Sequence, residues 1–299
     1  FNDDIQGTAA IALAGVCGAS RISGVPMEQQ RIVMLGAGAA GIGIARLLRA
    51  ELEHLGLHGD ALARAIAVLD SHGLLHDARE LDEAYKRELA WPARLVREAG
   101  LDPSRPLALA EVVSALAPTV LIGTSGTPGA FDEASVRAMA GKVARPAIFP
   151  FSNPNSKCEA HPADLIRWTD GRALIASGSP FDPVEHGGRT FTIAQGNNVY
   201  VFPGVGLGAL AAEARMVTDG MFAAAAHAVA DRLTDQDIAG ARLYPSPGEL
   251  RSISRAVARS VALRAIADGV APRKSAAELD AALDALVWEP RYPRIRLEP

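Results

Sequence analysis

Three glycines with the spacing G-x-G-x-x-G could bind the phosphates of a nucleotide. Gly36, Gly38 and Gly41 follow a mostly apolar run, 31–35, that predicts a buried parallel strand, and they precede an apolar run, 42–48, that predicts a helix. The first glycine would permit a tight turn, the second would let backbone N–H groups approach a pyrophosphate, and the third would let the helix pack closely on the strand. We therefore predict a dinucleotide site here, and a glycine turn in an ordinary α/β domain is the alternative interpretation. The residues assigned to the cofactor at this turn are Gly36, Gly38, Ala39, Ala40 and Gly41.

Two adjacent carboxylates, Asp3 and Asp4, precede an Ala- and Leu-rich run, 11–17, that predicts a helix. Carboxylates before a helix commonly cap it or place favourable charge in its first turn. The same pair could instead provide a metal ligand beside a catalytic acid. The composition of the segment does not decide between these two interpretations.

An acidic residue, Asp70, ends the second predicted strand, 65–70. A carboxylate at this position can accept hydrogen bonds from the ribose hydroxyls of an adenosine. Asp70 lies 29 residues after Gly41, later than the usual spacing, so the intervening helix and loop must absorb the excess. It would also repel a 2′-phosphate, which favours NAD, although the basic residues Arg79, Lys86 and Arg87 follow and keep NADP possible. A solvated Asp at a strand end is the alternative.

Small and polar side chains follow two further predicted strands. Thr124 and Ser125 follow the strand 119–122, and Asn153 follows the strand 146–150. Ligands collect at the carboxyl ends of the strands in open α/β sheets, so these residues are candidates for contacts with a cofactor. Ordinary turns use the same residue types, and this is the alternative for both groups.

A cluster of amides, Gln-Gly-Asn-Asn at 195–198, follows a short predicted strand, 190–194. Amides both donate and accept hydrogen bonds, so the cluster suits a ligand that carries carboxylates and hydroxyls. A simple loop is the alternative. The glycine-rich run 202–208 lacks the Lys and Ser/Thr of a P-loop, and we expect it to permit close packing where the chain turns into helices.

The order of these elements predicts an α/β fold: a Rossmann-like, doubly wound, mostly parallel sheet of five or more strands with a helical C-terminal region. We assign residues 1–206 to an NAD(P)-binding domain, in which residues 1–24 form a leading helix that carries the Asp pair. Residues 207–299 form the helical region, with a linker at 244–248. An extended tail, 288–299, could lie on a neighbouring subunit.

Composition excludes several classes of protein. The 299 residues are 49% hydrophobic, so the chain can bury a large core, whereas a net charge of −4 and 5% aromatic residues argue against binding to nucleic acid. We find no apolar run that reaches the length of a membrane span. Cys17 and Cys158 form no disulfide or metal pattern, as expected in the reducing cytoplasm, and the seven histidines occur singly. The chain begins at Phe1 without an initiator Met or signal peptide, so we expect a piece of a longer protein.

Six blocks of sequence, which occur in the same order as in a known family, indicate the class of protein more specifically than the glycine motif does. The opening FNDDIQGTAA, followed by a strand and GAGAAG, closely resembles the NAD-type malic enzymes of eukaryotes and bacteria. The resemblance covers nearly the whole chain. The further blocks are LDSHGLL (69–75), LIGTSGTPGAF (121–131), FPFSNPNSKCEA (149–160), ASGSPFDPV (176–184) and QGNNVYVFPGVGLG (195–208).

The resemblance implies an activity: the oxidative decarboxylation of malate to pyruvate and CO₂, with reduction of NAD and dependence on Mg²⁺ or Mn²⁺. It implies that Asp4 is a metal ligand, that Asp3 assists proton transfer, and that Asn198 contacts the substrate. Three further residues are assigned by resemblance to the cofactor or the nicotinamide ribose and substrate: Arg79, Asn153 and Asn197.

The resemblance also implies that a catalytic N-terminal half is absent. That half carries a Tyr, a Lys, an Arg that binds substrate and two further acidic metal ligands, so this fragment is expected to bind the cofactor without catalysing the reaction. The parent enzyme is expected to be a homo-oligomer. Two alternatives are the cofactor domain of another dehydrogenase, of the amino-acid dehydrogenase type, and a non-catalytic module that senses nucleotides.

Overall fold

The computed structural model describes residues 1–288 and residue 292. The tail predicted at 288–299 therefore lies almost entirely outside the described residues. Two sheets are present among the described residues, one of seven strands and one of two. The strands are β1 Ile32–Leu35, β2 Ile66–Asp70, β3 Gly73–Leu74, β4 Val120–Gly123, β5 Ala147–Pro150, β6 Leu174–Ser177, β7 Val184–His186, β8 Arg189–Phe191 and β9 Ala194–Gln195.

Helices connect and cover these strands. A π-helical turn, Asp3–Gly7, leads directly into the first α-helix, and short 3₁₀ turns occur at Met27–Gln29, Asn155–Lys157, Asn198–Tyr200 and Pro247–Glu249. The α-helices are α1 Thr8–Ser23, α2 Ala39–His54, α3 Gly59–Ala65, α4 Ala84–Glu88, α5 Ala93–Glu98, α6 Leu109–Leu116, α7 Glu133–Ala140, α8 Pro162–Trp168, α9 Phe202–Ala211, α10 Asp219–Ala230, α11 Asp235–Ala239, α12 Leu250–Ala267 and α13 Ala276–Leu286.

The larger sheet has the strand order β3-β2-β1-β4-β5-β6-β9. All its pairings are parallel except that of β3 with β2, so the predicted mostly parallel sheet is confirmed. The chain runs outward from β1 through β2 and then returns to add β4 on the other side. The carboxyl ends of β1 and β4 therefore border the point where the strand order reverses, which is where open α/β sheets bind ligands.

Alternate residues of the short strands enter two separate cores. Ile32 and Met34 of β1 are buried in the core that contains α1, α2, α10 and α12, whereas Val33 is buried in the core that contains α5 to α8. Successive side chains of a strand point to opposite faces, so apolar residues at every position require helices on both sides. The doubly wound arrangement is thus confirmed.

Helix α1 lies inside the larger core and packs against α2 and α10. The continuous helical stretch Asp3–Ser23 is long and apolar enough to span a membrane by length and composition, contrary to our expectation that no run qualifies. However, 67% of its most apolar window is buried inside the fold, as is typical of a core helix. The Tyr244 hydroxyl donates to the Ile11 carbonyl oxygen at 2.8 Å and is buried. The segment 244–248, predicted as a linker, is therefore attached to the core through Tyr244.

Several predicted elements differ from the observed ones. The strand predicted at 190–194 is divided between β8 and β9. The run 202–208 is helical from Phe202 onward, and it packs closely as predicted, since a Cβ on Gly208 would lie 2.4 Å from the Ala258 carbonyl oxygen. The domain boundary predicted after residue 206 stays a prediction. In the structure, helix α9 continues across this position.

Candidate functional site

The glycine turn joins β1 to α2 at the carboxyl edge of the sheet. Gly36 has a φ of +120°, a conformation that side chains with a Cβ rarely adopt, and its N–H donates to the Leu69 carbonyl oxygen at 2.8 Å. A Cβ on Gly41 would lie 1.9 Å from the Gly36 carbonyl oxygen, so only glycine fits there. A Cβ on Gly38 would meet no described atom within 4 Å. The space in front of Gly38 is therefore open to a ligand.

Helix α2 begins at this open space. Gly38 is its N-cap, with extended backbone, and no side chain of the described residues caps it. Ala39 and Ala40 form the first turn, where backbone N–H groups have no carbonyl partner within the helix. Unpaired N–H groups and the positive end of the helix dipole together favour a phosphate. The arrangement is therefore suited to a pyrophosphate.

Thr124 lies directly against the glycine turn. Its backbone N–H donates to the Leu35 carbonyl oxygen at 2.8 Å, and its hydroxyl donates to the Gly36 carbonyl oxygen at 3.3 Å. A Cβ on Gly36 would lie 2.6 Å from the Thr124 backbone. The ends of β1 and β4 thus form one continuous edge, as the positions of these residues after their strands predicted.

The Asp pair and the amide cluster meet although Asp3 and Asn198 are 195 residues apart in sequence. The Asn198 side-chain amide donates to the Asp3 carboxylate oxygen Oδ2 and to the Asp3 carbonyl oxygen, both at 3.1 Å, and to the Thr8 hydroxyl at 3.2 Å. The other carboxylate oxygen of Asp3, Oδ1, is buried and has no hydrogen-bond partner among the described residues. Asp4 is exposed, and its carboxylate makes no hydrogen bond or ion pair with the part of the chain that the structure describes.

A cleft of about 580 Å³ connects the Asp-pair segment with the glycine turn. Asn2, Ile5 and Gln6 line it on one side, and Gly38 and Ala39 line it on the other. The residues that flank the Asp pair and the glycine turn therefore border one space, although Asp3 and Asp4 themselves are not among its lining residues.

The Asp70 carboxylate makes more polar contacts than its position at a strand end suggested. Its carboxylate accepts from the Arg79 guanidinium at 3.0 and 3.1 Å and from the His72 backbone N–H at 2.9 Å, and it lies 3.4 Å from the Lys86 ammonium. Burial raises the pKa of Asp70, but these hydrogen bonds and cations outweigh burial and lower the pKa overall. The alternative of a solvated Asp is wrong, because only 8% of the side chain is exposed.

This carboxylate belongs to a small charge network. Lys86 also contacts the Glu83 carboxylate at 3.0 Å, so two acids and two bases balance one another beside the turn. Arg79 donates in addition to the Gly73 and Leu74 carbonyl oxygens. Arg79 is thus fixed by the fold and is not one solvated charge among many, which was its alternative interpretation.

A buried carboxylate that sequence analysis missed holds the next two loops together. Glu159 is fully buried and accepts from the Ser125 N–H and hydroxyl at 2.7 and 2.9 Å and from the Ser152 N–H at 3.3 Å. The Ser125 hydroxyl, predicted to contact the cofactor, is therefore used within the protein. Asn153 lies beside Ser152, and its side-chain oxygen accepts from the Ser179 hydroxyl. The sequence offered one indication that Glu159 is buried: it lies between Cys158 and Ala160, whose residue types are commonly buried.

Comparisons with known proteins identify the family of the chain. The family described as "Malic enzyme, NAD binding domain" matches residues 5–266. The chain is 45% identical over 294 residues to the NAD-dependent malic enzyme of Sodalis glossinidius, covering 98% of this chain and 52% of that protein. The chain belongs to the malic enzyme family. The alternative of another dehydrogenase family is thereby excluded.

Further malic enzymes are similar in sequence and in structure. NAD-dependent malic enzyme 3 of Bacillus subtilis is 44% identical over 303 residues, covering 99% of this chain and 52% of the relative. The crystal structure of the malic enzyme of Entamoeba histolytica matches 95% of this chain and 55% of that chain, with a TM-score of 0.73 and 26% identity. The chain thus spans about half the length of the relatives it matches, and it has the fold of a malic enzyme NAD-binding domain.

In this malic enzyme domain, the Asn197 side chain makes different contacts from those of Asn198. Its side-chain oxygen accepts from the Val199 N–H at 2.9 Å and caps the 3₁₀ turn Asn198–Tyr200. It also lines a second cleft of about 530 Å³, together with Gln195 and Arg242. The structure therefore brings Asn198 to the Asp pair and leaves Asn197 at a neighbouring opening.

The oxygen atoms beside the Asp pair provide only part of a metal site. The described residues contain no group of three or more His, Cys, Asp or Glu side chains that could hold a metal ion. Mg²⁺ takes about six oxygen ligands and commonly uses only one or two protein carboxylates, with waters and substrate atoms completing the shell. The exposed Asp4 carboxylate and the unpartnered Asp3 oxygen fit such a partial set.

Proposed function

We propose that this chain is the cofactor-binding part of an NAD-dependent malic enzyme that oxidises malate, releases CO₂ and forms pyruvate while NAD is reduced. The observation that carries the proposal is the contact between Asn198 and Asp3, whose neighbour Asn2 lines the cleft that reaches Gly38. The groups assigned to the substrate thus lie next to a cleft that the turn assigned to the dinucleotide also lines. The names of the relatives, all NAD-dependent malic enzymes, support the same activity.

Each residue of the site has a role that its chemistry allows. The N–H groups at Gly38 to Gly41 would hold the pyrophosphate of the dinucleotide, and Asp70 with Arg79 would contact its adenosine ribose. The Asn198 amide orients the substrate while it holds the Asp3 carboxylate in place. Asp3 then assists transfer of the proton that leaves the C2 hydroxyl of malate. Asp4 would hold Mg²⁺ or Mn²⁺, which when bound polarises the C2 oxygen.

We propose that the remaining groups come from the other half of the enzyme. That half would provide the Tyr and Lys of the proton transfer and two further acidic metal ligands. Each general acid or base typically contributes about 10²–10⁴-fold to the rate, so a chain that lacks both should bind NAD without measurable turnover. The complete enzyme would be a cytoplasmic homo-oligomer, and the two free thiols are consistent with a reducing compartment.

An assay of NADH formation tests the proposal. Malate, NAD and Mn²⁺ are mixed with the purified chain alone, and then with the chain plus the N-terminal half of the Sodalis relative. We expect NAD binding but no turnover from the chain alone, and turnover in the mixture that is lost in Asp3→Asn. Activity from the chain alone that disappears in Asp3→Asn would contradict the half-enzyme proposal. NAD binding without turnover in any mixture would favour the nucleotide-sensing alternative.

A further inference from the structure

Three side chains from three helices meet on the side of the core away from the proposed reaction. The His227 ring on α10 lies between the other two: its Nδ1 is 4.0 Å from the Cys17 Sγ on α1, and its Nε2 is 3.0 Å from the Glu51 carboxylate on α2. The proposed function uses none of these residues. We refer to Cys17, Glu51 and His227 as the thiol cluster.

The three side chains of the thiol cluster differ in how deeply they are buried. The Glu51 side chain is 6% exposed, whereas Cys17 and His227 are half-buried. A carboxylate as buried as Glu51 remains charged only with a partner, and the imidazole is that partner. Cys17 itself is partly buried against the core. The cluster therefore combines a buried negative charge with a partly buried nucleophile.

The surroundings favour a protonated imidazole. His227 makes hydrogen bonds with Cys17 and Glu51, and these raise the pKa of His227 to about 10. The hydrogen bond with His227 in turn lowers the pKa of Glu51.

The other elements packed here also carry ionisable groups. His54 on α2 and Arg264 on α12 face Glu51, and both lower its pKa further. Tyr244 lies near Cys17, with its hydroxyl bound to the Ile11 carbonyl oxygen. At neutral pH the sulfur therefore faces an imidazolium.

We propose that Cys17 is a reactive thiol and a site of reversible mixed-disulfide formation with low-molecular-weight disulfides, activated by the His227 imidazolium that Glu51 holds in place. Thiolates next to a protonated His form at lower pH than free thiols do. The inference does not depend on the proposed enzymatic activity.

The reaction is an ordinary thiol–disulfide exchange. The Cys17 thiolate attacks one sulfur of the disulfide, the sulfur–sulfur bond of the reagent breaks, and a new bond forms to Cys17. The departing half leaves as a thiolate and takes a proton from water. Cys17 is oxidised and the departing half is reduced, so no further oxidant is needed. A thiol reductant reverses the step.

The second cysteine of the chain is a matched internal control. Cys158 is buried, and its thiol donates to the Ala160 carbonyl oxygen at 3.1 Å. Burial raises the pKa of Cys158 to about 11. Structural buried thiols of this kind are inert.

The test measures alkylation by iodoacetamide against pH, with each cysteine quantified by mass spectrometry of its peptide. The parent chain is compared with His227→Gln and Glu51→Gln. We expect Cys17 alkylation to slow less between pH 8 and pH 6 in the parent than in His227→Gln, because the imidazolium beside the sulfur stabilises the reactive thiolate. At pH 6 the parent should react about tenfold faster than His227→Gln, after allowance for the lower nucleophilicity of the more acidic thiolate.

Incubation with oxidised glutathione at pH 7 provides the second readout. We expect a mixed disulfide on Cys17, removed by dithiothreitol, and none on Cys158. Equal rates of Cys17 alkylation at pH 6 in the parent and in His227→Gln would overturn the proposal, as would modification of both cysteines at equal rates. If His227→Gln does not fold, by circular dichroism, Glu51→Gln and the comparison of the two cysteines in the parent decide the matter.

Discussion

The Asn198 amide donates a hydrogen bond to the carboxylate of Asp3 across 195 residues of sequence. Asn198 belongs to the loop that leaves the last strand of the sheet, and Asp3 belongs to the turn that precedes α1. This one bond brings the beginning of the chain to the carboxyl end of the sheet, where the glycine turn and Thr124 already lie. The groups proposed for the substrate and those proposed for the cofactor therefore share one edge of the fold.

Replacement of Gly38 by Val should abolish binding of NAD while leaving the fold intact. The valine methyls would occupy the space in which the pyrophosphate meets the N–H groups of α2. Loss of those hydrogen bonds should weaken binding by about a hundredfold or more, since each bond to a charged group contributes about 1.5–3 kcal/mol. Isothermal titration calorimetry with NAD measures the affinity.

Gly206→Val is the matched control for this substitution. Gly206 lies in α9, and a Cβ there would also meet no described atom within 4 Å. The control should bind NAD like the parent. Equal NAD affinity in a folded Gly38→Val protein would show that the turn is not the pyrophosphate site.

The Asp70 network should determine the preference for NAD over NADP. In Asp70→Ala, the Arg79 and Lys86 side chains lose their partner and become available to a 2′-phosphate, while the ribose loses an acceptor. We expect the ratio of the two affinities to shift toward NADP by about tenfold, as loss of one charge-assisted hydrogen bond predicts. Titrations with both dinucleotides, followed by fluorescence of the reduced forms, measure this ratio.

Lys86→Ala should shift the same ratio in the opposite direction. Arg87→Ala is the control, because the Arg87 guanidinium donates to backbone carbonyl oxygens at residues 81 and 82 and does not contact Asp70. A parent chain that binds NADP more tightly than NAD would show that Asp70 has been misinterpreted.

Millimolar Mg²⁺ should change the melting temperature of this chain very little. Asp4 and Asp3 offer too few oxygen ligands for tight binding, and a ligand present at its dissociation constant adds only about 0.4 kcal/mol to the free energy of unfolding. Differential scanning fluorimetry over a Mg²⁺ series measures the shift. Strong, saturable stabilisation that is lost in Asp4→Asn would show instead that the metal site is complete within this chain.

Local patterns determined much of the fold. Buried strands of this sheet are apolar at successive positions, and Gly36 and Gly41 occur where the chain turns with a positive φ or passes close to another backbone. Both features depend on a few adjacent residues, so the parallel sheet, the turn and α2 could be predicted. The hairpin of β7 and β8 was not predicted, because its strands are only three residues long and partly exposed.

The sequence by itself determined which residue types were available: the glycine turn, the Asp pair, the amides and the acid at the end of β2. Only the tertiary structure decided which of them meet. Asn198 donates a hydrogen bond to Asp3, and the Ser125 hydroxyl donates one to Glu159. Cys17 lies beside His227. The physical reason is that side-chain contacts between distant elements depend on how helices and strands pack against one another. No local periodicity encodes the distance between two atoms whose residues are 34 to 210 positions apart.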